Sequence, residues 1–170
     1  MKINVCVADE SHAVYAQQIC DLVYVSAQER GTGIAKRTPE YIAQKMKVGK
    51  AVIALTEEGE LAGFAYVETW SHTLFVANSG LIVAHKFRKT GLAKRIKQEV
   101  FNLSRRKYPD AKIFSITTGA AVMKINSDMG FRPVPFSELT DDAEFWAGCK
   151  GCKNFDILER NNYKMCLCTG

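Results

Sequence analysis

No apolar run in the 170-residue sequence approaches the length of a bilayer-spanning helix, so a membrane-spanning protein is not the expectation. The opening MKINVCVADESH reaches Asp9 and Glu10 after a short strand-like run and lacks the apolar centre of a secretory leader, which points to a cytoplasmic protein. An Arg/Lys-rich arm is missing too. The formal charge of +5 is spread along the chain and suits a small anionic ligand as well as it suits nucleic acid. The densest basic cluster has only Phe87 beside it, and no repeated basic stripe or stacking platform accompanies it, which argues against single-strand binding. With no repeat and no linker, residues 1–170 read as one domain, of which 131–170 form C-terminal strands and a Cys-rich tail.

What is present is regular alternation of elements. Ile3, Val5 and Val7 alternate as a strand, and Ser11 with His12 opens a helix whose shared face carries Ala16, Ile19, Cys20, Val23 and Ala27. RGTGIAKRTPEY (30–41) interrupts that helix as an ordered cationic loop, and Thr38-Pro39 starts another with a capping hydroxyl and a proline at the first position. AVIAL (51–55) and LAGFAYVETW (61–70) predict a hairpin, FVANSGLIVA (75–84) a third strand, and AKIFSITT (111–118) a further one. FRKTGLAKRI (87–96) turns a strand into a helix carried by Leu92, Ile96, Val100 and Leu103. A short helix with Ala121, Val122, Ile125 and Met129 stops at Gly130, and KMCLCTG closes the chain as strand-like sequence.

The turn at 87–96 invites an anion. A helix N-terminus presents unpaired N–H groups and partial positive charge; Gly91 admits a bulky anion to the backbone and Ala93 does not obstruct it. Arg88, Lys89, Lys94 and Arg95 add attraction, or form a solvated helix face. The order of elements, with LIVAHKFRKTGLAKRI (81–96) and MGF (129–131), resembles the GCN5-related N-acetyltransferase (GNAT) superfamily over nearly the entire chain. The resemblance implies an α/β (α+β) fold, a mixed and mostly antiparallel sheet splayed into a V with flanking helices, and an acyl-CoA-dependent N-acyltransferase with coenzyme A in the cleft. It implies that the backbone of Leu81, Ile82 and Val83 pairs with the pantetheine arm and polarises the thioester carbonyl. It also places Arg88, Lys89, Thr90, Gly91, Leu92, Ala93, Lys94 and Gly119 at the cofactor.

Acyl transfer needs an amine that has lost a proton. Glu68 is the first candidate base and His72 the second. Asn126 and Gly119 stand where many family members have a tyrosine and an asparagine. Asn126 or Ser127 could hydrogen-bond the leaving thiolate, because a thiol with a pKa of about 8.5 leaves without strong acid help. Lys36 and Arg37, beside the second helix start, form a grouping suited to carboxylates, with a surface-charged loop as the alternative. GTGIAKRTPEY and SITTGAAVMK resemble a bacterial N-acylglutamate synthase-like subgroup associated with arginine synthesis, implying L-glutamate as acceptor and acetyl-CoA or succinyl-CoA as donor. Family members commonly pair, so a homodimer is expected.

Cys149 and Cys152 form C-x-x-C, and Cys166 and Cys168 form C-x-C, a set compatible with structural zinc, free buried thiols or a redox pair. Two other functions stay open on sequence grounds: a zinc-stapled nucleic-acid or interaction module, and a non-catalytic acyl-CoA-binding sensor.

Overall fold

The computed structural model describes residues 2–31 and 36–170. Strand β1 (Ile3–Val7) leads to Asp9, whose carboxylate accepts from Ser11 N while the His12 ring meets the Asp9 amide. This capping box first forms a short 3-10 turn, Glu10–Tyr15, so α1 (Ala16–Arg30) begins later than Ser11 suggested. Helix α2 (Pro39–Lys47) starts as expected, with the Thr38 hydroxyl accepting from Tyr41 N at 3.2 Å. Strands β2 (Ala51–Thr56), β3 (Leu61–Trp70) and β4 (Phe75–Val83) follow, then α3 (Leu92–Lys107), β5 (Lys112–Phe114) and α4 (Ala120–Asp128). Short helices α5 (Ala143–Ala147) and α6 (Phe155–Arg160) complete the set.

The sheet runs β1-β2-β3-β4-β5, antiparallel until the parallel β4–β5 pair. That last pairing lasts only from Phe75↔Lys112 to Ala77↔Phe114, and β4 then runs on paired with β3 alone, so a fork opens at Asn78 on its other edge. Its cause lies partly in β4 itself. Phe64 faces Ile82 but Tyr66 faces Ser79, so β4 carries one extra residue at Gly80–Leu81, a bulge with Gly80 at φ +66°.

Alternate strand residues build two cores, which explains the nearly continuous apolar runs of β2 and β3. Val52, Ala65, Val67 and Val76 pack under Leu92, Ile96, Val100 and Leu103 of α3. Ile53, Phe64, Tyr66 and Ile82 pack under Ile19 of α1 and Ile42 and Met46 of α2 on the other face. A third cluster joins Ala77 and Phe114 to Phe136, Leu139, Trp146 and Leu158.

The expected C-terminal strands do not form. In SELTDDAEFW the Asp142 carboxylate accepts from Glu144 N and Ser71 N, both at 3.0 Å, and Trp146 donates to Thr140 O at 2.8 Å; these local bonds favour turns and short helices. Among the described residues KMCLCTG forms only an isolated bridge, Thr117↔Thr169, outside the sheet, because β5 ends at Phe114 rather than at Thr118. Among the described residues no helix is long and apolar enough to cross a membrane.

Candidate active site

The turn after β4 is shaped by its backbone. Thr90 Oγ1 donates to Phe87 O at 2.7 Å, and Lys89 (φ 64°) and Gly91 (φ 82°) are both left-handed. Among the described residues, the amides of Lys89, Thr90, Gly91, Leu92 and Ala93 donate to no protein acceptor, and a Cβ at Gly91 would meet nothing within 4 Å. Free amides at the start of a sixteen-residue helix fit a phosphate-bearing group. The Arg88 guanidinium is engaged elsewhere. It pairs with Glu29 at 2.9 Å, donates to Ser26 Oγ at 3.0 Å and reaches Val83 O at 3.3 Å, bracing α1 against the end of β4. Arg95 donates to Ile3 O at 2.8 Å, while Lys89 and Lys94 are exposed. Leu81, Ile82 and Val83 lie on β4 at and after the bulge, with Ile82 and Val83 buried.

Behind the bulge lies a second group that the separate motifs did not disclose. A Cβ at Gly80 would sit 2.4 Å from the Tyr66 ring, so Tyr66 is packed flat on that glycine. The Tyr66 hydroxyl accepts from Arg37 Nε at 2.7 Å, and the guanidinium lies 5.5 Å from the Tyr41 ring centroid and 5.9 Å from that of Tyr66. Tyr41 donates its hydroxyl proton to Glu68 Oε2, and Lys45 Nζ reaches Glu68 Oε1 at 2.5 Å. Tyr41 and Lys45 share a face of α2 by i,i+4 spacing, and Tyr66 and Glu68 share a face of β3 by i,i+2 spacing; sheet–helix packing brings the pairs together.

Burial draws the Lys45 ammonium below the usual lysine range, with Glu68 opposing, and burial lifts both phenols above theirs, so Tyr41 donates and Tyr66 accepts as neutral phenols. Arg37 Nη1 donates to Lys36 O at 3.0 Å, and Nη2 has no partner among the described residues. Lys36 is exposed; Thr32–Ala35, the middle of the expected cationic loop, lies outside the described residues. Valine at Gly80 would add strain at positive φ to a collision with Tyr66. Gly80→Val is expected to lower stability by about 2–4 kcal/mol, read by urea titration.

The expected catalytic residues are not assembled in one place. Glu68 faces α2, whereas Asn126 and Ser127 line a cavity of about 460 Å³ with Phe101, Phe114, Met123 and Phe131 on the α3–α4 side. Asn126 Oδ1 is buried without a partner and Ser127 is exposed. Gly119 precedes α4, its amide donating to Thr117 Oγ1 at 3.0 Å, and His72 is exposed in the β3–β4 turn.

No family model and no curated protein matches the sequence. Solved structures do. N-acetylglutamate synthase from Neisseria gonorrhoeae, complexed with coenzyme A and N-acetyl-glutamate, matches with a TM-score of 0.69 at 16% identity, over 99% of this chain and 34% of that one. The chain thus spans about a third of that synthase's length. A GNAT-family acetyltransferase from Staphylococcus aureus matches at 0.66 and 14% identity, over 84% of this chain and 92% of the other. Diaminobutyrate acetyltransferase from Paenibacillus lautus, in complex with L-2,4-diaminobutyric acid and coenzyme A, matches at 0.58 and 14%, over 76% and 74%. The chain has the GNAT fold.

At its C-terminus this GNAT-fold chain bears on the three readings of the tail cysteines. Among the described residues no group of three or more His, Cys, Asp or Glu side chains is placed to hold a metal ion, so structural zinc, one of the three readings of the tail cysteines, is not supported. They are free thiols used in packing: Cys149, Cys166 and Cys168 lie against the cluster of Phe114, Phe136 and Trp146. Cys166 donates to Asn154 O at 3.7 Å, and Cys152 Sγ accepts from Asn154 N at 3.4 Å. Burial, then the neighbouring sulfurs, pushes Cys149 up and Cys168 up to about 12.

Proposed function

We propose that the chain is an acyl-CoA-dependent N-acyltransferase acting on the primary amine of a small, carboxylate-bearing metabolite, with L-glutamate as first candidate acceptor and acetyl-CoA or succinyl-CoA as donor. The observation that carries this reading is the β4 bulge, which stands between a phosphate-ready helix start and the Arg37–Tyr66–Tyr41–Glu68–Lys45 group. In this reading the amides from Lys89 to Ala93 hold the donor's pyrophosphate, and the β4 backbone from Leu81 to Val83 aligns its arm. Arg37 offers Nη2 to the acceptor carboxylate, its plane fixed between two rings. Glu68 takes the proton that the acceptor ammonium must lose, while Tyr41 and Lys45 hold the carboxylate in place. The ligands of two of the similar structures, N-acetyl-glutamate in the synthase and the substrate L-2,4-diaminobutyric acid in the diaminobutyrate enzyme, support the substrate class. A cytoplasmic homodimer belongs to the same proposal.

The test is thiol release from acetyl-CoA and succinyl-CoA against a panel of amino acids, polyamines and N-terminal peptides. Glutamate-dependent release is expected, and Arg37→Ala should raise KM for carboxylate-bearing acceptors roughly tenfold or more, the loss of a charge-assisted pair. Absence of release from every pair, with coenzyme A still bound, would move the function to an acyl-CoA sensor.

A further inference from the structure

Three side chains packed between α3, β4 and α4 each hold a buried polar atom that has no partner among the described residues, two of them in buried residues and one in the half-buried Asn126. Lys97 of α3 is 1% exposed, has no hydrogen bond or ion pair among the described residues, and holds Nζ 5.0 Å from the centroid of the Phe131 ring. Asn78, the first β4 residue past the β5 pairing, is 5% exposed; its Nδ2 donates to Ser104 Oγ at 2.8 Å, leaving Oδ1 buried and unpartnered. Asn126 Oδ1 of α4 is the third, and Asn126 O accepts from Phe131 N at 3.0 Å. Buried donors and acceptors are ordinarily paired. Phe131, against which the Lys97 ammonium lies, lines the cavity between α3 and α4 together with Asn126, so an ammonium without a partner among the described residues stands beside a place for a polar group that the chain does not itself supply.

The position along the fork is fixed by packing. A Cβ at Gly63 would meet both Ile96 and Val83, and Ser104 meets Asn78, so α3 runs antiparallel to β4. With a rise of about 1.5 Å per helical and 3.3 Å per strand residue, Lys97 lies level with roughly Leu81, at the bulge. The proposed function puts the reacting end of the donor there. Asn126 can donate a hydrogen bond in such a site but is no acid, whereas Lys97 can transfer a proton.

We propose that Lys97 is a further catalytic residue, its ammonium meeting the donor thioester in the fork and protonating the sulfur as it leaves. This rests on the transferase reading above. The acceptor nitrogen's lone pair forms the C–N bond, and the C–S bond breaks with its electron pair going to sulfur. A Lys97 N–H proton passes to that sulfur, giving the thiol and a neutral amine; Glu68 passes the acceptor ammonium's first proton on to solvent and then takes the second, which the new amide nitrogen sheds, and solvent reprotonates Lys97. Burial alone draws Lys97 down to about 8, and no charged group on β4, β5 or α4 contributes to that shift. A thiol of about 8.5 is therefore a closely matched proton acceptor.

The experiment compares wild type with Lys97→Met and Lys97→Arg. Lys97→Met is expected to lower kcat with acetyl-CoA about 100-fold with KM within threefold, and to abolish the fall in rate above about pH 8. A donor whose leaving group is an acidic aryl thiol should restore its rate, which a merely structural role would not do. Turnover apart, NMR of protein labelled with 13C-lysine should show an amine titrating near 8 that is missing in Lys97→Met and that coenzyme A shifts. The stability sign is also fixed. Because the folded-state value lies below the unfolded one, burying the charge penalises the fold below about pH 8, and the penalty fades as pH rises toward about 10.4. Lys97→Met should therefore melt higher than wild type at pH 7 and lose that advantage by pH 10. Unchanged rate and pH profile in Lys97→Met, or a Lys97 signal indifferent to coenzyme A, overturns the proposal while the transferase reading stands. No turnover by wild type with any acceptor overturns both.

Discussion

Coenzyme A is expected to bind the Gly91→Asp variant about 100-fold more weakly than the wild type. Any side chain at φ +82° carries strain of about 1–2 kcal/mol, and a carboxylate at the start of α3 adds about 1 kcal/mol by repelling the phosphates; together these correspond to one to two decades in Kd. Gly91→Ala should suffer only the strain and fall about tenfold, since nothing lies near its Cβ to collide with. Isothermal titration reads both. Arg88→Ala provides the contrast: Arg88 is occupied by Glu29, Ser26 and Val83 O, so its loss should lower the melting temperature and change affinity only a few-fold. A variant at Arg88 that melts normally but no longer binds coenzyme A would refute recognition by the main chain.

The second large effect concerns Glu68. Its side chain is 18% exposed and that of Lys45 only 10%, so Glu68→Ala leaves a nearly buried ammonium without its counter-charge and the Tyr41 hydroxyl without its acceptor. Breaking such a pair costs about 3–5 kcal/mol, and loss of a general base lowers kcat by about 10²–10⁴-fold. Glu68→Gln keeps an oxygen for Tyr41 and Lys45 and removes the base, so activity should fall as far while stability falls less. The pH dependence follows in sign. Burial already holds Lys45 below its unfolded value of 10.5, so the folded state binds fewer protons in the window beneath that value, and stability contributed by this residue rises with pH across it. Without Glu68 the opposing pull is gone and the window extends lower, so the deficit of Glu68→Ala measured in urea should narrow from pH 7 to pH 9.5. A deficit that grows with alkalinity would show that the destabilisation has another source.

The parts legible in the sequence were those written locally. Thr38-Pro39 announces α2, Gly130 follows α4, and Arg88–Ala93 marks the strand-to-helix turn because periodicity and turn chemistry change there. The candidate acceptor group was only half visible. Glu68 and Arg37 could be singled out, but Tyr41, Lys45 and Tyr66 acquire meaning only when the faces of α2 and β3 meet; the in-strand glycine Gly80 was an available sign of a bulge. Arg88 reads as a phosphate ligand, and its pairing with Glu29, 59 residues away, is visible only in the fold. Lys97 sits in the charged run KRIKQE and reads as a solvated helix face; packing beside Phe131 buries it. The tail misled because alternation in KMCLCTG resembles a strand, whereas Asp142, Thr140 and Trp146 settle the preceding chain into helical turns.

Arg88's commitment to α1 leaves the anion-ready surface built chiefly from peptide groups, which every residue but proline supplies alike. Such a surface constrains the path of the chain and hardly constrains its letters. Substitution can therefore proceed around the turn until little residue-by-residue likeness survives, provided a glycine remains where φ is +82° and the helix still begins at the next residue.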